Sequence, residues 1–517
     1  ALRVSEMALP CRGRAILLLV LLAVLGALEC RSDEVQQPVP HSGEQQQQQH
    51  AHYTNGQHNP NFVVHDWEST ESDNAVLDRM ETVDEMMEFL WNGGSFPGSD
   101  IWQKPKPLYL VDDTPSRRVG FLLQFANSIA VETSDGLVVI DTGSFMTSNA
   151  IQQQLSAWSP SLPLHTAIWT HGHQDHVWGI DRWEAYNRDL LAGQRRQQHR
   201  GDHDMVDETT DTAQASDPDI GLSDSADEKQ KLGKVRVVAH RAVLGRFARY
   251  RATRGYNTQI NARQFEGEPE GIDIPADFRS PDLLYEHELT LTVGSETLHL
   301  FHDRGETDDA TWVWLPRSRV LATGDFFIWY APNAGNPQKV QRYAGEWSAA
   351  LRKMAALKPR ALLPGHGVPI VGEERVQQAL LNTADYLEII FNRTIELMNA
   401  GKDLDYIIHH VSVPAHLSAL PYLRPHYDET EFIVRNIWRL YGGWWDLNPA
   451  HLKPAPRQAL GQELALLAGG YEHLAHLAHS PQYAHMIDVA PVWTNWQLER
   501  WSSRPSIRNR AWHSRVT

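Results

Sequence analysis

The stretch Trp169-Thr170-His171-Gly172-His173-Gln174-Asp175-His176-Val177-Trp178-Gly179 constrains this chain more than any other. Leu164 to Thr170 reads as a buried strand, and a polar run stops it before a helix that starts near Gly179. Three imidazoles and a carboxylate therefore crowd into one strand-to-helix loop. In extended backbone His171 and His173 point to the same side, while Asp175 and His176 lie past the turn, where they can face a second ion. Two neighbouring divalent metals are the expected occupants. The plainer alternative, a His-rich surface loop, has no need of the flanking strand and helix.

The rest of the composition narrows what such a site can serve. With 517 residues, two folded domains plus appendages are expected, and 42% hydrophobic residues with 18 Trp supply real cores. The formal charge of −17 argues against a nucleic-acid partner, which needs a basic face. Only Cys11 and Cys30 are present, so neither a disulfide framework nor a four-cysteine zinc site is available. Arg12 and Arg14 precede the apolar run Ala15 to Leu28, which fits a signal peptide over residues 1–30 and is too short for a stable membrane span. Entry into the secretory pathway follows, with a secreted or lumenal product, periplasmic if the source is bacterial.

Residues 31–60 are rich in Gln, His, Pro and Asn and read as a disordered linker. A first helix is expected over Ala75 to Leu90, stopped by Gly93-Gly94. Strands follow at Val119 to Phe125, Ser128 to Thr133 and Leu137 to Ile140, the last running into Asp141-Thr142-Gly143. After the His-rich loop a helix is expected over Ile180 to Leu190. Residues 193–234 carry many Asp and Glu and almost nothing apolar, which predicts a solvated insertion rather than a domain. Val235 to Ala239 is a short strand ending at His240, with a basic helix beyond. Hairpins are expected at Thr290–Val293 with Thr297–His302 and at Thr311–Leu315 with Val320–Thr323. Two β halves with helices outside imply an αββα sandwich with the metals at the strand-end edge.

Two ions need more donors than one loop supplies. Glu306, Asp325 and His366 each follow a downstream strand, and together their order and type fit a two-metal cage. The His171–His176 pattern resembles the His-x-His-x-Asp-His signature of the metallo-β-lactamase superfamily, and Asp141-Thr142-Gly143 resembles its early Asp-x-Gly landmark. That resemblance implies that His171 and His173 share one ion with Glu306, that Asp175 and His176 share the other with His366, and that Asp325 bridges them. Asp141 reads as an orienter of the loop rather than a ligand. Most hydrolases of the superfamily have His at the position of Glu306, and Glu there resembles the alkyl sulfatase branch.

Downstream motifs point the same way. Glu373 to Asn399 reads as a long amphipathic helix. Asp385-Tyr386-Leu387-Glu388, Pro414-Ala415-His416-Leu417, Pro421-Tyr422-Leu423-Arg424 and the run Tyr441-Gly442-Gly443-Trp444-Trp445-Asp446-Leu447-Asn448-Pro449 resemble the alkyl sulfatase dimerisation domain. The resulting organisation is a catalytic α/β sandwich of metallo-β-lactamase type over residues 61–372, an all-α dimerisation domain over 373–470 and a tail over 471–517 that the resemblance does not reach.

The resemblance implies a hydrolase with two Zn2+, iron and manganese being tolerated by the same donors, that cleaves small anionic sulfate esters with a metal-bound hydroxide and works as a homodimer. Asp175 and Asp325 are the candidate proton acceptors. Arg342, Asn333, Asn336 and Tyr330 are candidates for holding the anionic head group, and Phe327 and Trp329 face either an apolar tail or the core. In alkyl sulfatases the bridging residue is Glu, whereas here it is Asp325, so two alternatives stay open: a hydrolase of thioester, lactone or phosphoester substrates, and a non-catalytic binding protein on the same fold.

Overall fold

A computed structural model of the chain describes residues 80–94, 106–114, 117–203, 233–264, 275–426, 428–470 and 473. The expected signal peptide, the Gln/His-rich linker, most of the acidic insertion and nearly all of the tail lie outside these residues.

Alternation along the strands decides the layering. In β3 (Ser128–Thr133), β4 (Gly136–Ile140) and β6 (Arg236–His240), Val131, Val138, Ile140 and Val238 join one core, while Ala130, Leu137, Val139, Val237 and Ala239 join another. Both faces of this sheet are thus buried, as a partly parallel sheet requires. Its order is β1 (Tyr109–Thr114), β2 (Arg117–Leu122), β3, β4, β5 (Leu164–Ile168), β6 and β7 (Leu283–Tyr285), antiparallel up to β4 and parallel from β4 onward. The second sheet runs β13 (Ile370–Val371), β12 (Ala361–Pro364), β11 (Val320–Gly324), β10 (Thr311–Leu315), β9 (Glu296–His302) and β8 (Glu288–Val293), antiparallel except for the β11–β12 pair.

Ile151 and Leu155 of α2 (Ser148–Trp158), Trp183 of α3 (Ile180–His203) and Phe247 of α4 (Val243–Ala252) cover the outer face of the first sheet. The core between the sheets continues into α6 (Ala344–Ala356) and α7 (Glu373–Asn399), which pack on each other, and on into the helical C-terminal part. Helix α1 (Val83–Trp91) begins at a capping box made by Thr82 and Glu85, and the earlier part of the helix expected from Ala75 lies outside the described residues. Among the described residues no helix is long and apolar enough to cross a membrane.

One expectation is corrected here. Helix α3 does not stop near Leu190 but runs to His203, into the stretch read as a solvated insertion. Gln194, Arg195, Arg196 and Gln197 bury little, yet Arg and Gln are good helix formers, so a helix already nucleated by Ile180 and Trp183 propagates through them. Strands β1, β7 and β13 escape the sequence pattern: β1 carries Asp112 and Asp113 and a register shift, and the other two are very short.

Candidate metal centre

Two strand ends and the loop between them set the first half of the site. Asp141 follows β4 with φ of 57°, a left-handed conformation that Asp tolerates better than most residues. Three bonds hold it there. Its Oδ1 accepts from the Thr170 backbone N–H at 2.8 Å, and its Oδ2 accepts from Thr170 Oγ1 at 2.7 Å and from His176 Nδ1 at 2.8 Å.

These contacts fix which ring nitrogen His176, His171 and His366 present. With Nδ1–H of His176 committed to Asp141, its Nε2 is left as a lone pair. Thr170 Oγ1 donates to Asp141 and so accepts from His171 Nδ1 at 3.0 Å, leaving His171 Nε2. His366 Nδ1 donates to the Phe125 carbonyl, leaving its Nε2 as well. The loop that carries His366 is itself held by Asn127, whose side-chain amide donates to the Pro364 carbonyl at 3.0 Å and the Gly367 carbonyl at 2.8 Å. Gly365 is obligatory beside it, because a Cβ there would stand 2.1 Å from Asp325 Oδ1.

The ring nitrogens converge with the carboxylates. His171, His173, Glu306 and Asp325 bring one donor atom each within 4.8 Å of one another, and so do Asp175, His176 and His366. Asp325 faces both groups, with Oδ2 at 3.6 Å from His171 Nε2 and 3.3 Å from His366 Nε2, and Oδ1 at 3.5 Å from His176 Nε2. His173 Nδ1 lies 3.3 Å from Glu306 Oε2, and Asp175 Oδ2 lies 3.5 Å from both His176 Nε2 and His366 Nε2. Buried His176 Nε2, Glu306 Oε2 and Asp325 Oδ1 have no hydrogen-bond partner. Buried orphans of this kind are costly unless something binds them. Imidazole and carboxylate donors suit a divalent first-row ion, so the residues fit metal occupancy.

Charge divides the cluster. Burial pushes His171 and His173 down, with the neighbouring imidazoles adding to it, so both are neutral. Burial opposes charge on His366 too, but Asp325 and Asp175 outweigh it and lift the imidazole to about 9. His176 is likewise raised against its burial by Asp175, Asp141 and Asp325. Burial disfavours the Asp175 carboxylate, yet His176 and His366 bring it down to about 2. The carboxylate-rich group thus carries protons that a cation of the right size would displace.

The candidate head-group residues fare differently from one another. Asn333 Nδ2 donates to Glu306 Oε1 at 2.8 Å, and Arg342, 2% exposed, makes an ion pair with the same oxygen. Arg342 is therefore not a fork reserved for an incoming anion. It first balances Glu306 through Nη1, although its buried Nε has no hydrogen-bond acceptor among the described residues. Asn336 is buried on the same loop with Nδ2 unpartnered. Tyr330 stacks on His426 at 4.3 Å, which ties it to the helical part rather than to the donors. Phe327 and Trp329 are buried against Tyr422, so of the two roles open to them the structure gives core packing.

Several contributors carry no local signature. Asp309 is fully buried, accepts from Gly172 N–H at 3.0 Å between the two loop histidines, and pairs with buried Arg246 at 2.8 Å. Lys339 is half-buried and has no ion-pair partner among the described residues, although Glu306 and Asp175 both act on its charge. Burial, with Arg342 beside it, pushes its ammonium down to about 8. His240 stacks face to face on His302 at 3.6 Å and is not among the converging donors.

A two-sheet sandwich with a His-rich loop at its strand ends defines a class, and comparison with known proteins agrees: residues 123–366 match the metallo-beta-lactamase superfamily and residues 404–490 match the alkyl sulfatase dimerisation family. The sandwich is thus a metallo-beta-lactamase fold, followed by a helical region that matches the alkyl sulfatase dimerisation family. It is 25% identical over 346 residues to a linear primary-alkylsulfatase of Pseudomonas sp. (strain ATCC 19151), covering 66% of this chain and 60% of that one. It is 24% identical over 370 residues to an (R)-specific secondary-alkylsulfatase of Pseudomonas sp, covering 67% and 50%. The solved structure of a stereoselective inverting sec-alkylsulfatase from Pseudomonas sp. shares the fold with a TM-score of 0.57 at 22% identity, over 81% of this chain and 61% of that one. This chain thus spans between half and about three fifths of the length of these relatives.

Proposed function

We propose that this protein is a binuclear metal-dependent hydrolase of sulfate esters that acts as a homodimer in the secretory pathway. His171, His173 and Glu306 would hold one zinc ion, Asp175, His176 and His366 the other, and Asp325 both. When bound, such a pair supplies a strongly acidified water at neutral pH and positive charge for the departing group. The chain's own residues do the rest. Asp175 is the most open carboxylate of the cluster, with 24% of its side chain exposed against 6% for Glu306 and 8% for Asp325, and it is ionised, so it is placed to accept a proton.

The observation that carries the anionic substrate is a surplus of donors. Arg342 Nε and Asn336 Nδ2 are buried without acceptors, and the Lys339 ammonium has no ion pair among the described residues, all on one loop beside Glu306. A tetrahedral anion would satisfy them together. The alkylsulfatase relatives support sulfate as that anion. Asp325, where the alkyl sulfatase pattern has Glu, keeps open a second reading, a hydrolase of thioester, lactone or phosphoester substrates on the same frame.

Purified full-length protein, assayed for metal content and for hydrolysis of dodecyl sulfate, an aryl sulfate, a phosphodiester, a thioester and a lactone, tests the proposal. Turnover of sulfates with about two ions per chain is expected. Turnover of neutral esters alone overturns it. The secretory assignment rests on Arg12, Arg14 and the apolar run Ala15 to Leu28, and N-terminal sequencing of the mature protein checks it.

A further inference from the structure

Glu306 is oriented by two side chains, Asn333 and Arg342, that both sit on the segment of residues 331–342 leading from Asp325 to α6. That segment has no helix or strand of its own, so its backbone groups need partners elsewhere. They find them in the helical C-terminal part. The Ala331 N–H donates to the Arg424 carbonyl at 2.9 Å, and the Gly335 N–H donates to the buried Asp428 carboxylate. Asn436, buried in the middle of α10 (Thr430–Gly442), donates from one amide nitrogen to both the Ala334 carbonyl at 2.7 Å and the Arg342 carbonyl at 2.9 Å. Gln341 Nε2 returns a bond to the Asn436 carbonyl at 3.0 Å. Loop and helix touch backbone to backbone, since a Cβ on Gly335 would lie 2.1 Å from the Phe432 carbonyl carbon.

We infer that Asn436 is a positioning residue for Glu306: by clasping the carbonyls of Ala334 and Arg342 it sets the loop so that Asn333 and Arg342 reach the Glu306 carboxylate. The region matched to a dimerisation family therefore also positions the Glu306 side of the proposed metal centre. The other half has no such dependence, because His176 and His366 are held by Asp141, Phe125 and Asn127, all within the sandwich. Losing the Asn436 amide leaves the buried Ala334 carbonyl without this donor and frees the loop to drift from Glu306, while the Asp175, His176 and His366 group keeps every bond that orients it.

The inference rests on the binuclear reading, and the experiment separates the two. Zinc-loaded wild type and Asn436→Ala are titrated with a chromophoric chelator, and ion release is followed alongside circular dichroism and thermal unfolding. Two ions per chain are expected from wild type. In the variant one ion should be released at about tenfold lower chelator concentration and the other as in wild type. Asn436→Asp keeps the volume but has at most one proton to donate and cannot clasp both carbonyls, so it should show the same selective loss. Equal affinities for both ions in folded variants overturn the inference, as does parallel weakening of both ions with a collapse of the thermal midpoint, or failure of both variants to fold. Fewer than two ions in wild type overturns the binuclear reading itself and the inference with it.

Discussion

His176 and His366 take their orientation from the sandwich that carries them, whereas Glu306 takes its from a loop whose own bonds run to the helical part of the chain. In the first case a strand-end Asp, a backbone carbonyl and the Asn127 amide hold the rings through contacts of the two sheets. In the second, Asn333 and Arg342 act on the carboxylate only because Asn436 and Asp428 hold the loop. One half of the centre should therefore fail only when the sandwich is damaged. The other should respond to changes in a helix that contributes none of the converging donors.

The largest effect is expected where the Glu306 side also depends on a buried charge. Asp309→Ala removes the partner of Arg246 and the acceptor for Gly172 N–H, leaving a guanidinium buried without its full pairing. A loss of about 3–5 kcal/mol in urea unfolding of the metal-free protein is expected. A loss below 1 kcal/mol would mean that Asp308 alone compensates Arg246.

Asp141→Ala strikes the opposite half. His176 loses the acceptor for Nδ1–H, and Thr170 loses both of its bonds to the carboxylate. Chelator titration should show the ion of Asp175, His176 and His366 weakened by roughly 100-fold, with the Glu306 ion less affected. If both ions weaken alike, the two halves are not separately built and the comparison breaks. Asn333→Ala is milder, since Arg342 stays on Glu306, and a loss of roughly tenfold confined to the Glu306 ion is expected.

The smallest effect concerns acid. His240 donates from Nε2 to the Glu286 carbonyl at 2.9 Å and accepts the Ala242 N–H at Nδ1, so only the neutral ring satisfies both, and burial with stacked His302 pushes it down to about 4. The folded value lies below the unfolded one near 6.5. The unfolded chain thus takes up the proton first, and this contribution to stability is complete above about pH 6.5 and lost as pH falls toward 4. His240→Gln should flatten the decline of the thermal midpoint across that window relative to wild type. An unchanged slope would place the acid sensitivity elsewhere, in the converging donors themselves.

How much of this could be read from the chain alone follows from the range of each contact. The His171–His176 loop, Glu306, Asp325 and His366 show themselves as candidates because side chains able to hold a metal stand at strand ends, a local pattern. Asn127, Asp309 and Asn436 do not, because each acts across 102 to 240 residues, and a loop Asn or Asp with a distant buried partner looks like one that meets water. Arg342 was legible as a needed cation, but not the fact that its first partner is Glu306. The sandwich was legible through two-residue alternation, whereas α3 beyond Leu190 hid because propensity rather than burial extends it.

The reach of Asn127 sets a timetable for synthesis. Its bond to Gly367 pins the loop that carries His366 across 240 residues of chain. At roughly 5–20 residues per second, a ribosome needs some tens of seconds between the two. Through most of that interval the nascent chain displays His171, His173, Asp175 and His176 without the donors that complete either group. Neither group of donors is complete until the second sheet has been made and docked.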